Sequence, residues 1–202
     1  TITSAVGAPE SVTLASATVQ MALYYHLPCR TGGMITNSHC PDAQAAAEGT
    51  LMMSTALRNG ANFIFHACGQ LGSYISMSFE KWLLDEEVCR MLRRVMLAMD
   101  INVASLDVET IKNIGSDGSY LTHPTTFKHC RDFYQPLLFT RKDYHKWCAD
   151  GALRVSECAA NILPKRLESY QTPPIDQGLK QALEEYVALR KKEEGVETVP
   201  VT

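Results

Sequence analysis

Residues 27–69 read LPCRTGGMITNSHCPDAQAAAEGTLMMSTALRNGANFIFHACG. A short apolar run, Leu27 to Arg30, ends in paired glycines at 32 and 33. Asp42 to Asn59 then follows as a helical stretch, opened by Pro41 and Asp42 and closed by Gly60. Its small residues (Ala45, Ala46, Ala47, Ser54, Ala56) suit a helix packed closely on a sheet. Ala61 to His66 is apolar once more and ends near a glycine. The order predicts strand, glycine-rich turn, helix, strand, which is the grammar of a parallel βα fold. Such folds place their chemistry in the turns at the carboxyl ends of the strands, and His66 falls at that end.

The same pattern extends outward. Residues 1–6 (TITSAV) predict a short buried strand stopped at Gly7, and Pro9 sits where the first turn of a helix tolerates it. SFEKWLLDEEVCRMLRRVMLAMD at 78–100 predicts a third helix. Beyond Asp100 the strands stop. Helices are expected at 105–114, with Ser105 as N-cap, and at 125–134, 141–149, 155–169 and 175–192.

Three parallel strands alone would leave sticky sheet edges. The expected α/β architecture is therefore the last three βα units of a TIM (β/α)8 barrel over residues 1–104, with a helical C-terminal extension over 105–202. A complete barrel takes ~250 residues, more than the 202 present here. An opening Thr1 in place of methionine agrees with the latter part of something longer.

Composition excludes several classes. A net charge of -3, with 20% charged and 46% hydrophobic residues, gives no basic footprint for nucleic acid. No apolar run approaches the ~20 residues of a membrane span, and no secretory signal is visible. The seven cysteines are an odd number at wide spacing, without a CxxC pair. They predict reduced, mostly buried thiols in a cytoplasmic protein rather than a disulfide framework. His39-Cys40 and His129-Cys130 are adjacent residues that do not readily converge on one ion, so no metal site is expected.

Several segments, taken in order, resemble one family. They are GAPE at 7–10, LPCRTGG at 27–33, PDAQAAAE at 41–48, GANFIFHACG at 60–69, FEKWLLDEE at 79–87 and GSDGSYLTHPTTFKHCRDFYQPLLFTRKDYHKW at 115–147. Together they are similar to the latter part of trimethylamine methyltransferase-like proteins. That resemblance implies a TIM-barrel enzyme moving a methyl group from a methylated amine to the Co(I) corrinoid of a cognate corrinoid protein. It implies no tightly bound cofactor of the chain's own, since the corrinoid (cobalamin) is carried by that partner, and it leaves room for a homo-oligomer. The different-class alternative is a non-catalytic fragment or subunit that binds a corrinoid protein.

Chemistry narrows the amine. Displacement at an N-methyl carbon expels the amine, and a quaternary ammonium leaves as a neutral amine without a general acid. Neutral trimethylamine would leave as an amide anion. The family's trimethylamine enzymes carry pyrrolysine, which is written nowhere in this sequence. The expectation therefore favours glycine betaine or a related betaine over trimethylamine, in a site whose task is orientation and desolvation.

Given that resemblance, His66 is the expected catalytic residue, against the alternative of a buried histidine satisfied by backbone. Arg30 ends its strand and either binds a substrate carboxylate or pairs with Asp42 or Glu48. Gln44, on the first helical turn, is within reach of substrate or corrinoid, and Asp42 serves as an N-cap. Tyr74 is the expected aromatic face for a trimethylammonium group. Alternation on the strand turns Phe65 into the helix layer, and Trp82 belongs to core. His123 either folds over the barrel mouth or is an ordinary loop histidine. Glu80, Asp85, Glu86 and Glu87 read mainly as a solvated face, with docking of the corrinoid protein as their other use.

Overall fold

The computed structural model describes residues 4–195. It is mixed α/β, largely helical, and divides into two compact units, Thr1–Pro164 and Lys165–Thr202. The expected first strand at 1–6 lies partly outside the described residues; Ser4 to Val6 is not strand.

In the first unit, α1 (Pro9–Tyr24) opens with proline in its first turn and buries Val12 and Val19. The strand β1 is Arg30–Gly32, starting later than Leu27. Pro28 offers no N–H to a ladder, and Cys29 spends its carbonyl on the amides of Asn62 and Phe63. Next comes α2 (Ala43–Arg58), whose buried face is Ala45, Gly49, Met52, Met53 and Ala56. Asp42 is its N-cap, accepting the Ala45 amide at 2.9 Å. Gly60, at φ 79°, turns the chain out of the helix as expected.

The strand β2 (Phe63–Phe65) pairs parallel with β1, Arg30 opposite Phe63 and Gly32 opposite Phe65. The ladder continues past the strand ends, where the Met34 amide donates to the His66 carbonyl at 3.1 Å. A β-carbon on Gly33 would sit 2.8 Å from Met53 Cε and 3.1 Å from Ala67 Cα. Only glycine lets the two turns approach so closely.

An unforeseen antiparallel hairpin follows: β3 (Gln70–Leu71) and β4 (Ser76–Met77). The third long helix, α3 (Phe79–Met96), is capped by Ser78. No closed barrel is formed by the described residues; they make one parallel and one antiparallel pair.

The core of this unit is Met34, Met53 and Val88, with Leu57, Ile64, Ala67 and Leu92 packed against it. A second cluster, Leu83, Leu138 and Ala159, joins α3 to the loop at 138 and to the last of the five helices that follow. These are α4 (Val103–Leu106), α5 (Val108–Ile114), α6 (Pro124–His129), α7 (Tyr144–Ala149) and α8 (Val155–Glu168). The expected helix at 105–114 is split. Asn102, not Ser105, caps α4 in a reciprocal capping box with Ser105, and Asp107 at φ 44° separates α4 from α5.

The second unit holds the end of α8 and the solvent-exposed α9 (Gln177–Glu193). Asp176 caps α9, and Arg190 pairs with Glu193 and Glu194 at its end.

Candidate active site

Four side chains gather by the end of β2, where Arg30 reaches across from the start of β1 to Phe65, His66 and Tyr74. The His66 imidazole lies 4.0 Å from the Phe65 ring and 4.7 Å from the Tyr74 ring, centroid to centroid. The Arg30 guanidinium stands 5.2 Å over the Phe65 ring. Two expectations are corrected: Arg30 opens β1 rather than ending its strand, because pairing with β2 begins only at Arg30 and runs on through Gly32, and Phe65 faces the other way. Ile64 is the strand residue that packs into the core, so Phe63 and Phe65 occupy the open face beside Arg30. His66 then leaves the alternation because its backbone is left-handed, at φ 54°.

Electrostatics follow from the same geometry. Partial burial, then the Arg30 charge, lowers the His66 pKa below the usual histidine value. The imidazole is neutral at physiological pH and can accept or donate one hydrogen bond. Burial raises the Tyr74 phenol, with Arg30 pulling the other way. Among the described residues no carboxylate lies in ion-pair range of Arg30. The two partners considered for it are engaged elsewhere: Asp42 as helix cap, Glu48 beneath the neighbouring loop.

The hairpin turn that presents Tyr74 has three successive left-handed residues, Gly72, Ser73 and Tyr74, at φ 55°, 57° and 76°. Two of them are not glycine, so the turn is held rather than relaxed. The amides of Gly72 and Ser73 donate to the carbonyls of Ser38 (2.8 Å) and Thr36 (3.0 Å). Asn37 adds a bond from Nδ2 to the Ser73 hydroxyl at 2.5 Å, while its Oδ1 accepts the Gly7 amide at 2.7 Å.

Glu48 secures the base of this loop, accepting from the Thr36 hydroxyl (2.6 Å) and the Asn37 amide (2.8 Å). Those bonds outweigh desolvation and hold its carboxyl below the usual range. Gln44 donates to Glu48 at 2.9 Å, so its amide braces the brace.

A second support lies beneath. Lys81 and Asp85, 1% and 2% exposed, form an ion pair at 2.6 Å. Lys81 also donates to the Met34 carbonyl (3.3 Å), and Asp85 accepts the Gly69 amide (2.8 Å). The pair thus ties the turns after β1 and β2 to α3.

The match to known families decides the lineage. The trimethylamine methyltransferase (MTTB) family model matches residues 3–195. The chain belongs to that family. It is 33% identical over 193 residues to a glycine betaine methyltransferase of Desulfitobacterium hafniense, covering 95% of this chain and 40% of that protein. It is 30% identical to a trimethylamine methyltransferase of another strain of that species, over 96% of this chain and 39% of the relative. A proline betaine:corrinoid methyltransferase of Eubacterium limosum is also 30% identical, over 92% and 39%. The chain thus spans about 40% of the length of these trimethylamine methyltransferase-family relatives.

The other expectations divide. His123 caps α6, its Nδ1 accepting the Thr125 amide at 3.3 Å. Its recorded partners belong to the helical extension. Trp82 is half exposed and lies against Gly69 rather than in the core. The acidic run on α3 is not a solvated face, because Asp85 and Glu87 are both buried. Glu87 accepts the amides of Leu137 and Leu138 at 2.7 Å each, and the Tyr134 hydroxyl. Burial, then Glu87, pushes the Tyr134 phenol up to about 12.

Sequence reasoning missed Asn37, Ser73 and the Lys81–Asp85 pair as supports of the site. The i, i+4 spacing of Lys81 and Asp85 was the available signal.

Proposed function

We propose that the chain is the C-terminal part of a methyltransferase acting on a quaternary amine carrying a carboxylate, of the glycine betaine type. In this reading residues 1–104 are the last βα units of a TIM barrel and 105–202 its helical extension. The observation that carries it is the cluster of Arg30, from the start of β1, with Phe65, His66 and Tyr74 at and beyond the carboxyl end of β2, in a member of this family.

A zwitterion fits these groups better than a simple cation. Arg30 has no carboxylate partner among the described residues and can take one from the substrate through its fork of donors. It would repel a bare ammonium placed beside it. The Tyr74 ring offers its face to a trimethylammonium group, a contact of about 0.5–2 kcal/mol. A neutral His66 lets that cation approach, and its imidazole orients the substrate against Tyr74. His66 supplies no proton, because the leaving group is a neutral amine. Gln44 and His123 act at a distance in this account, by steadying Glu48 and by capping α6.

The Co(I) corrinoid of a partner protein supplies the nucleophile that takes the methyl carbon, and is therefore a substrate of this site. Arg30 anchors the carboxylate, while Phe65, His66 and Tyr74 hold the ammonium with one methyl directed outward and keep water from it. The alternative from a different class is a chain that binds a corrinoid protein without turnover.

Methyl transfer to a Co(I) corrinoid protein, assayed with glycine betaine, proline betaine, carnitine and trimethylamine, separates the two. Transfer from a betaine supports the first. Corrinoid-protein binding with no transfer from any amine supports the second.

A further inference from the structure

We propose that Cys68 and Cys89 form a modification site, a dithiol that low-molecular-weight organic disulfides oxidise to an intramolecular disulfide. Cys68 lies two residues after His66, in the connection between β2 and the hairpin, whereas Cys89 lies on α3. The two thiols lie near enough to shift one another's titration. Cys89 Sγ is 3.8 Å from the Ala67 carbonyl oxygen, directly beside the Cys68 backbone. All seven cysteines are free, so both residues are thiols.

The pair is reachable. Both thiols line a cavity of about 670 Å³ between α2, β2 and α3, walled by Met53 and Leu57 and carrying Glu86, Arg90 and Arg93. The two guanidiniums suit an anionic reagent, the chemistry of a carboxylated disulfide such as oxidised glutathione. The neighbouring Cys89 thiol and burial push the Cys68 thiol up. The neighbouring Cys68 thiol, helped by the charges of Arg93 and Lys81, draws Cys89 down. Cys89, beside Arg93 in the cavity, is accordingly the attacking group.

The exchange balances. Cys89 sulfur attacks one sulfur of the organic disulfide, whose S–S bond breaks, and the expelled thiolate takes up the proton Cys89 has lost. Cys68 sulfur then attacks Cys89 Sγ in the mixed disulfide. The second thiol leaves with the Cys68 proton. Two electrons pass from the cysteines to the reagent, which is reduced to two thiols. The product would tie the segment after His66 covalently to α3.

The test needs no enzymatic assay. The protein is purified reduced, exposed to oxidised glutathione, alkylated and mapped by peptide mass spectrometry. The expected result is a peptide pair joined through Cys68 and Cys89, lost on treatment with dithiothreitol. In C68S, glutathione should remain trapped on Cys89, and C40S should leave the linkage unchanged. Recovery of both Cys68 and Cys89 as alkylated thiols, while the exposed Cys40, Cys130 and Cys148 carry glutathione, would overturn the proposal. So would glutathione retained on either residue of the unsubstituted pair.

Discussion

The rings of His66 and Tyr74 meet at 4.7 Å with an interplanar angle of 52°, and both residues hold left-handed backbone. Non-glycine residues in that region carry about 1–3 kcal/mol of strain each. Bonds from the Thr36–Ser38 loop and from Asn37 hold the Tyr74 turn in place. If the rings form the ammonium face, Tyr74→Ala should weaken betaine binding about tenfold and Tyr74→Phe much less. Calorimetric titration with glycine betaine reads both. Equal losses would assign the effect to the phenol hydroxyl instead.

Arg30 should set the choice between substrates. Arg30→Met removes the fork of donors and should reduce affinity for glycine betaine by about ten- to a hundredfold, the scale of a charge-assisted bond. Choline, which has the ammonium but no carboxylate, should bind unchanged or better. Parallel losses for both ligands would show that Arg30 supports the fold through Phe65 rather than the substrate.

Acid should weaken the fold through His66. Its folded pKa lies below the ordinary value of 6.5, so near and below that pH the unfolded chain binds a proton the folded chain refuses. Stability therefore rises as pH climbs through this window and is fully present above 6.5. His66→Gln should flatten that rise in denaturant unfolding measured at several pH values. An unchanged slope would place the responsible group elsewhere.

The pair beneath the site should fail asymmetrically. Asp85→Ala leaves Lys81 buried without a counter-charge, at a cost of about 3–5 kcal/mol, whereas replacing both residues with apolar ones should recover most of it. Burial also raises the Asp85 carboxyl to about 6, against the pull of Lys81 and the Gly69 amide. The folded chain thus keeps a proton that the unfolded chain releases above 3.8, and this contribution is lost as pH rises through about 6. Asp85→Asn should remove that falling limb.

Periodicity and punctuation made much of this fold legible. Pro9, the Asp42 cap and Gly60 mark α1 and α2 near their observed limits, while the helix expected over 78–100 starts in place and stops at Met96. Other features depend on partners distant in sequence. The hairpin strands have two residues each, too few to show alternation. Phe65 misled because alternation does not survive the left-handed His66. The charged run on α3 reads as solvent-facing until the Gly69 amide and the amides of Leu137 and Leu138 are seen to meet Asp85 and Glu87. At the site itself the end of an apolar run pointed to His66, whereas Arg30 proved to open its strand, and the loop that aims Tyr74 is held by Asn37, in a turn like any other before a helix, and by Glu48, which reads as an ordinary polar position of α2. The cysteines were expected to be mostly buried; only Cys29 is.

The central claim is that His66 and its neighbours hold the methylated amine. Its most direct test is the rate of methyl transfer from glycine betaine to a Co(I) corrinoid protein, compared between the parent protein and His66→Ala at matched folding stability. The account predicts a fall of at least tenfold, equivalent to about 1.4 kcal/mol of transition-state stabilisation. Unchanged transfer kinetics in a well-folded His66→Ala protein would contradict it.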